Sequence, residues 1–261
     1  MVRPAFSRLP VTVNLPLLLQ ALAAVEDDHW QGHFNSAYYS GDWSGVALIS
    51  AVDALTPLSP GRGQPVQRAL WSEDDRWHEA LRDWRLEIVS ARLLRLGPGG
   101  CIHEHRDYDL GGANADLRLH VPLLSPPGVD FWLDGQRIPM TAGECWFLDL
   151  SLPHHVDNHS SQPRIHLVLD CRPSPWLLRQ VAAGLLSTPA IVAERSDLVC
   201  FEQLVETDPQ LARTLQSLHD VDTFIECAIA MAAARDLHVT REQLQAAMRN
   251  GRRQWSDQWK A

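Results

Sequence analysis

The sequence has few cysteines, and they lie far apart along the chain. Five cysteines are scattered over 261 residues, with no CxxC motif of the kind used in zinc and redox sites. They are Cys101, Cys145, Cys171, Cys200 and Cys227. An odd and dispersed set argues against a disulfide framework, so we expect a reducing, cytoplasmic location.

The sequence also lacks a membrane-length apolar run and an excess of positive charge. The apolar stretch 14–25 is interrupted by Asn14 and Gln20 and is too short to span a bilayer. We interpret it as a packing helix capped by Asn14. The net charge of −9 argues against a general nucleic-acid binder, which would carry a basic stripe. We therefore expect neither a membrane nor a nucleic-acid partner.

Short apolar runs separated by Gly and Pro fill residues 86–170. The segment Leu117–Leu124 alternates as a strand does, and Asp134-Gly135 between two short runs is typical of a β-hairpin. Closely spaced strands with turn signals indicate a sandwich or barrel and not a βαβ fold. The predicted fold is mainly β with α, a double-stranded β-helix (jelly roll) flanked by helices.

The pattern changes near residue 175, and from 197 onward apolar residues recur at helical spacing. Asp208-Pro209 and Thr240 are typical helix starts, with Gln243 at the capping-box position after Thr240. We therefore predict two domains, a jelly-roll domain over 1–175 and a small helical domain over 176–261.

A group of potential metal ligands lies within the β-rich region. His105 and Asp107 are two residues apart, so on an extended strand their side chains share one side and can bind one ion. A third ligand has to come from a distant strand, and His154 and His155 compete for that place because strand neighbours face opposite ways. His103 competes with His105 only if the register slips. Two histidines and one carboxylate are typical of Fe(II) oxygenases, which keep coordination positions open.

Arg164 follows ten residues after His154. Its planar guanidinium is always charged and binds a carboxylate through two hydrogen bonds. 2-Oxoglutarate, the co-substrate of many Fe(II) oxygenases, carries a distal carboxylate that needs such a partner.

Four segments resemble the aspartyl/asparaginyl β-hydroxylase family and its bacterial branch, the proline cis-4- and cis-3-hydroxylases. They are Ile102-His-Glu-His-Arg-Asp-Tyr108, Leu117-Arg-Leu-His-Val-Pro-Leu123, Gly143-Glu-Cys-Trp-Phe-Leu-Asp-Leu-Ser-Leu-Pro-His-His155 and Pro163-Arg-Ile-His-Leu-Val-Leu-Asp170. The resemblance implies a dioxygenase that uses Fe(II), 2-oxoglutarate and O2 to hydroxylate an sp3 carbon of an amino acid, free or within a peptide.

The resemblance also implies roles for individual residues. His105, Asp107 and His154 would hold iron, and Arg164 would bind the distal carboxylate of 2-oxoglutarate. Arg118 and His120 would point into the barrel near the co-substrate or substrate. Asp107 sides with the free-amino-acid branch, because some β-hydroxylases of the family lack this acidic ligand.

The C-terminal region has a resemblance of its own. Residues 201–247 are similar to nitrile-hydratase-leader-like helical domains, which would imply a peptide substrate. The alternative is a helical cap packed on the barrel or at a homodimer interface.

Two other functions fit the metal ligands. One is a jelly-roll metal-binding or sensor protein without turnover. The other is a cupin-like metalloenzyme that uses zinc or manganese and no 2-oxoglutarate. The identity of the metal and the dependence on 2-oxoglutarate separate these functions from a dioxygenase.

Overall fold

The structure is a computed structural model that describes residues 3–59, 61, 63–112 and 114–187 of the first part of the chain. Towards the C terminus it describes residues 197–198, 201, 204–205, 208–218, 220–241, 243–245 and 248. The chain divides into two compact units, Met1–Ile191 and Val192–Ala261. The division falls after the helix Pro175–Ser187, which the sequence analysis assigned to the second domain. Residues 249–261 of that predicted domain lie outside the described residues.

Thirteen strands are described in the first unit. They are β1 (Phe6–Arg8), β2 (Gln31–Gly32), β3 (Tyr39–Ser40), β4 (Trp43–Ala51), β5 (Pro65–Gln67), β6 (Ile88–Leu96), β7 (Cys101–His105), β8 (Leu117–Leu124), β9 (Val129–Leu133), β10 (Gln136–Arg137), β11 (Trp146–Leu148), β12 (His154–Asn158) and β13 (Arg164–Cys171).

Four α-helices accompany these strands, and two further helices are described in the second unit. They are α1 (Leu15–Ala23), α2 (Ala69–Ser72), α3 (Asp75–Ala80), α4 (Pro175–Ser187), α5 (Pro209–Gln216) and α6 (Val221–Ala233). The predicted cap is present, since the Asn14 side chain accepts a hydrogen bond from the Leu17 amide at 3.2 Å. Among the described residues, no helix is both long and apolar enough to cross a membrane.

The strands form two antiparallel sheets. The larger has the order β1-β11-β8-β13-β6-β4-β2, with β5 also paired to β4, and the smaller has the order β10-β9-β12-β7-β3. Sequence neighbours are thus often separated in the sheets, as in a jelly roll. The predicted fold class, mainly β in a jelly roll with flanking helices, is confirmed.

The hairpin predicted at Asp134-Gly135 joins β9 to β10, and both residues have positive φ, 49° and 70°. Two central residues with positive φ match the right-handed twist of the flanking strands, which is why this dipeptide closes hairpins. On its other edge β9 pairs with β12, where Leu133 lies opposite His154.

Strand β13 shows why the larger sheet is buried on both faces. Leu167, Leu169 and Cys171 point into a core that also contains residues of α1, α3 and α4. The alternate residues, Arg164, Val168 and Asp170, line a cavity on the opposite face. All eight residues of the strand are buried, so its polar members need partners inside the protein.

The second unit has its own small core. Leu211 and Leu215 of α5 and Ile225 and Ala228 of α6 are among its buried members. The predicted capping box is present, because Thr240 and Gln243 exchange hydrogen bonds of 2.8 and 3.3 Å. The resemblance of this region to leader-like domains stays a prediction. The four described cysteines are free thiols, and Cys200 lies outside the described residues.

Candidate active site

A cavity of about 800 Å³ is lined by residues of both sheets. It contains all six residues that the sequence analysis assigned to the site. They are His105, Asp107, Arg118, His120, His154 and Arg164. The volume lies in the upper part of the range typical of ligand sites, which is about 300 to 1,000 Å³.

The three predicted ligands converge at the ends of two paired strands. His105 is the last residue of β7, and it pairs with His154, the first residue of β12. Asp107 lies just past the end of β7, where its backbone amide donates to the Leu150 carbonyl at 2.8 Å. One ligand atom from each side chain lies within 4.8 Å of the others, so the three can hold one metal ion.

Both histidines are oriented by their own strands. Nδ1 of His105 lies 2.8 Å from the carbonyl oxygen of His103, and Nδ1 of His154 lies 3.0 Å from that of Leu152. A carbonyl can only accept, so each Nδ1 carries a proton and Nε2 is the atom left to face the cavity. Such anchoring of the second nitrogen is usual for metal-binding histidines. Burial also lowers the pKa of His154 to about 3, which keeps its ring neutral.

Asp107 is ionised in spite of its burial. Burial alone would raise its pKa, but the charge of Arg118 lowers the pKa to about 2. Arg118 also donates a short hydrogen bond from Nη1 to Oδ2 of Asp107. The other oxygen, Oδ1, lies 3.8 Å from Nε2 of His105.

The competing histidines lie outside this group. His155 points away from the cavity, where it stacks on Trp132 with ring centroids 5.9 Å apart. Its ring nitrogens lie 3.9 Å from Glu104 and 3.8 Å from Asp157. His103 is exposed and contributes its carbonyl, not its ring, to the site. The strand alternation thus selects His154 over His155.

Arg164 is the first residue of β13, and its side chain is almost fully buried, at 1% exposure. Its Nη2 donates to Nδ1 of His166 at 2.7 Å, while its buried Nε has no hydrogen-bond partner. No carboxylate pairs with it in the part of the chain that the structure describes. Burial lowers the pKa of Arg164 to about 9, which still leaves it charged at neutral pH.

Phe131 links Arg164 to the ligand group. Its ring lies 6.0 Å from the Arg164 guanidinium carbon and stacks on His154 with centroids 6.3 Å apart. The unpaired cation therefore sits one aromatic ring away from the candidate metal ligands.

His120 and His166 are neutral companions of Arg164. Their Nδ1 atoms lie 3.3 Å apart, and burial lowers both pKa values well below the ordinary 6.5. Nδ1 of His166 is the acceptor for Arg164, because a guanidinium can only donate. His120 lines the cavity, and its Nε2 is buried without a hydrogen-bond partner.

Arg118 has a different environment from Arg164. Its Nε and Nη2 donate to the two oxygens of Asp170, at 2.6 and 3.0 Å, while its Nη1 donates to Asp107. Arg92 approaches Asp170 from the other side, with Nη2 2.6 Å from Oδ2. The predicted role of Arg118 beside the co-substrate stays a prediction, since three of its nitrogens already donate to protein carboxylates.

Four further residues line the cavity and were not predicted from the sequence. They are Arg92, Asp170, Tyr38 and Phe131. Asp170 carries a usable signal, because it shares the alternation of Arg164 along β13. Arg92 interrupts an apolar strand, which also indicates a buried charge. Tyr38, whose ring stacks on His105 at 5.1 Å, comes from a distant turn and gives no such signal.

Comparisons with known proteins agree with the resemblance seen in the sequence. Residues 73–173 match the family described as Aspartyl/Asparaginyl beta-hydroxylase. A stretch of 79 residues is 37% identical to L-proline cis-4-hydroxylase of Rhizobium meliloti (strain 1021). The stretch covers 30% of this chain and only 28% of that protein. The predicted resemblance is confirmed for residues 73–173, which contain the six residues predicted for the site from the sequence.

Solved structures with similar folds include a 2OG-Fe(II) oxygenase family oxidoreductase from Burkholderia pseudomallei. The two chains are 14% identical, with a TM-score of 0.46 and coverage of 64% of this chain and 84% of that one. A Pseudomonas putida prolyl-4-hydroxylase is 13% identical, with a TM-score of 0.39 and coverage of 65% and 93%. The fold assignment rests on the sheet order and register of this chain.

Proposed function

We propose that this protein is an Fe(II)- and 2-oxoglutarate-dependent dioxygenase. Its substrate would be an amino acid, free or within a peptide, that is hydroxylated at an sp3 carbon. The single observation that carries the proposal is an unpaired, buried guanidinium in the same cavity as two histidines and a carboxylate. The match of residues 73–173 to the hydroxylase family supports it.

The donor set fits Fe(II). Two imidazole nitrogens and one carboxylate form one face of a coordination sphere and leave positions open for other ligands. His105, Asp107 and His154 would hold the metal. Iron with bound 2-oxoglutarate and O2 would supply the oxidising chemistry that turns C–H into C–OH, with release of succinate and CO2.

Arg164 fits the distal carboxylate of 2-oxoglutarate. A buried cation without a partner costs several kcal/mol, and a bound carboxylate offsets much of that cost. His120 and His166 are neutral, so neither neutralises the guanidinium charge that a bound carboxylate would pair with. A passive metal-binding protein has no comparable use for this unpaired charge.

The remaining residues of the cavity would position the substrate. Tyr38 and Phe131 cover the faces of His105 and His154 and restrict water around the ligand group. The cavity is large enough for a small dicarboxylate together with a second molecule. The likeness to L-proline cis-4-hydroxylase supports an amino acid, and the volume is compatible with a residue of a peptide.

The proposal is tested by anaerobic titration with Fe(II) and 2-oxoglutarate, followed by visible absorption. We expect the charge-transfer band typical of an α-keto acid chelated to Fe(II). The band should vanish in His154→Ala, which removes a ligand, and persist in His155→Ala, the matched control on the same strand. Iron binding without a band would contradict the proposal and favour a non-catalytic metal protein. Binding of zinc or manganese with turnover independent of 2-oxoglutarate would favour the cupin-like alternative.

A further inference from the structure

Arg118 connects the candidate metal ligand Asp107 to a buried ion network. Its side chain is only 14% exposed, and it donates from Nη1 to Asp107 and from Nε and Nη2 to Asp170. Asp170 in turn is held by Arg92 at 2.6 Å. Three nitrogens of one guanidinium are engaged, so its orientation is fixed from both sides.

We propose that Arg118, anchored by Asp170, is a positioning residue that makes Asp107 bind metal through one oxygen only. The inference rests on the proposed function, because it requires a metal at this site. Arg118 occupies Oδ2 of Asp107 and leaves Oδ1 on the side of His105. A carboxylate that bound through both oxygens would take one of the open coordination positions.

The role of Asp170 follows from the register of the sheet. Asp170 on β13 pairs directly with Arg118 on β8, so the two side chains lie side by side on the cavity face. Arg92 comes from the opposite neighbour, β6, and holds the second side of the same carboxylate. Asp170 touches none of the three ligand residues among the contacts described. Its hydrogen-bond connection to the ligand group runs through Arg118.

A purely electrostatic role for Arg118 predicts the opposite result from a positioning role. A buried cation beside a metal site repels the metal, so its removal should tighten metal binding if charge alone matters. If Arg118 orients Asp107, its removal frees the carboxylate and should weaken binding. The sign of the change in metal affinity distinguishes the two roles.

The experiment is a Co(II) titration of the full chain without 2-oxoglutarate, followed by the ligand-field absorption of the ion. We expect Arg118→Gln to weaken Co(II) binding about 10- to 100-fold, as loss of outer partners of metal ligands commonly does. The absorption spectrum should change as well, because Asp107 becomes free to bind through both oxygens. Asp170 keeps Arg92 as a partner in this variant, which favours folding. A thermal melt checks that the variant is folded.

Asp170→Asn provides a second test that leaves Arg118 in place. We expect a smaller loss of Co(II) affinity and a spectral change in the same direction. The matched control is Asp130→Asn, which removes the carboxylate partner of Arg137 at a pair that does not line the cavity. Its Co(II) affinity and spectrum should equal those of the wild type.

The possible results of the Co(II) titrations separate the role of Arg118, the role of Asp170 and the proposed function. Equal or tighter Co(II) binding by folded Arg118→Gln, with an unchanged spectrum, would overturn the positioning role and leave the proposed function intact. An unchanged Co(II) affinity and spectrum in Asp170→Asn would overturn the proposed role of Asp170 as the anchor of Arg118. Failure of the wild type to bind Co(II) would overturn both this inference and the proposed function.

Discussion

Two arginines on the same face of the larger sheet are both largely buried but differ in their partners. Arg164, at one end of the cavity, has no carboxylate partner among the described residues and contacts neutral His166. Arg118, at the other end, donates to two carboxylates. Burial lowers the pKa of Arg164, whereas the charges of Asp170 and Asp107 outweigh burial and raise the pKa of Arg118 above its ordinary value.

Because their partners differ, the two arginines serve two purposes in one cavity. A buried guanidinium that the protein has already paired is part of the framework, because its hydrogen bonds fix neighbouring side chains. A buried guanidinium left unpaired costs stability and is available to an external anion. The partner, and not the burial, therefore separates the candidate binding residue from the candidate positioning residue.

The largest expected difference between the two arginines is in 2-oxoglutarate binding, and the same substitution at each position measures it. We expect Arg164→Met to weaken 2-oxoglutarate binding about 100-fold or more, because loss of one partner of a buried charge pair costs roughly 2 to 5 kcal/mol. Arg118→Met, at saturating metal, should change the affinity for 2-oxoglutarate far less. Isothermal titration of the anaerobic Fe(II) protein measures both. Similar losses in the two variants would show that the distal carboxylate does not depend on Arg164 alone.

The two substitutions should also change stability in opposite directions. In the metal-free protein, Arg164→Met removes an uncompensated cation, so we expect unchanged or higher stability, by about 1 kcal/mol. Arg118→Met leaves Asp107 without its cation and Asp170 with only Arg92, so we expect a loss of about 3 kcal/mol. Urea unfolding of both variants gives the free energies. A destabilised Arg164→Met would mean that Arg164 is already compensated within the fold.

A further effect is a difference in the pH dependence of stability between the two ends of the cavity. His120 and His166 have pKa values well below 6.5 because they are buried, so the unfolded chain binds protons that the folded chain refuses. Their contribution to stability is present above pH 6.5 and is lost as the pH falls, by up to about 1.4 kcal/mol per unit for each group. Asp107 and Asp170 have lowered pKa values, so their contributions are lost only below about pH 4.

Urea unfolding of metal-free protein between pH 6.5 and 4.5 measures this difference. We expect His166→Gln to reduce the slope of stability against pH in that window and Asp170→Asn to leave it unchanged. A slope that is the same in wild type and His166→Gln would contradict the assignment of a neutral His166.

Much of the site was predictable because it depends on local periodicity. The spacing of His105 and Asp107 and the opposite facing of His154 and His155 follow from strand geometry over a few residues. The structure refines one detail, since Asp107 lies past the end of β7 and not within it. The network of Arg92, Arg118 and Asp170 was not predictable as a unit, because its members lie on three separate strands whose pairing depends on the sheet order.

The boundary between the two units was likewise not predictable from local periodicity. Helical periodicity after residue 175 correctly indicated helices, but it does not say which core a helix joins. Helix α4 packs against β1 in the first unit, because Leu177 and Val181 are buried in the core behind the larger sheet. The buried face of a helix is visible in a sequence, whereas the surface that covers it is not.

Alternation and turn residues predict the strand-rich jelly roll, because they act over a few positions. The family resemblance predicts the ligand group and an arginine suited to a carboxylate. Which arginine has no carboxylate partner among the described residues is visible only in the tertiary structure. That property depends on whether a carboxylate from another strand reaches the guanidinium. Asp170 reaches Arg118 across the β8–β13 pair, and no described carboxylate reaches Arg164 at the buried end of the cavity.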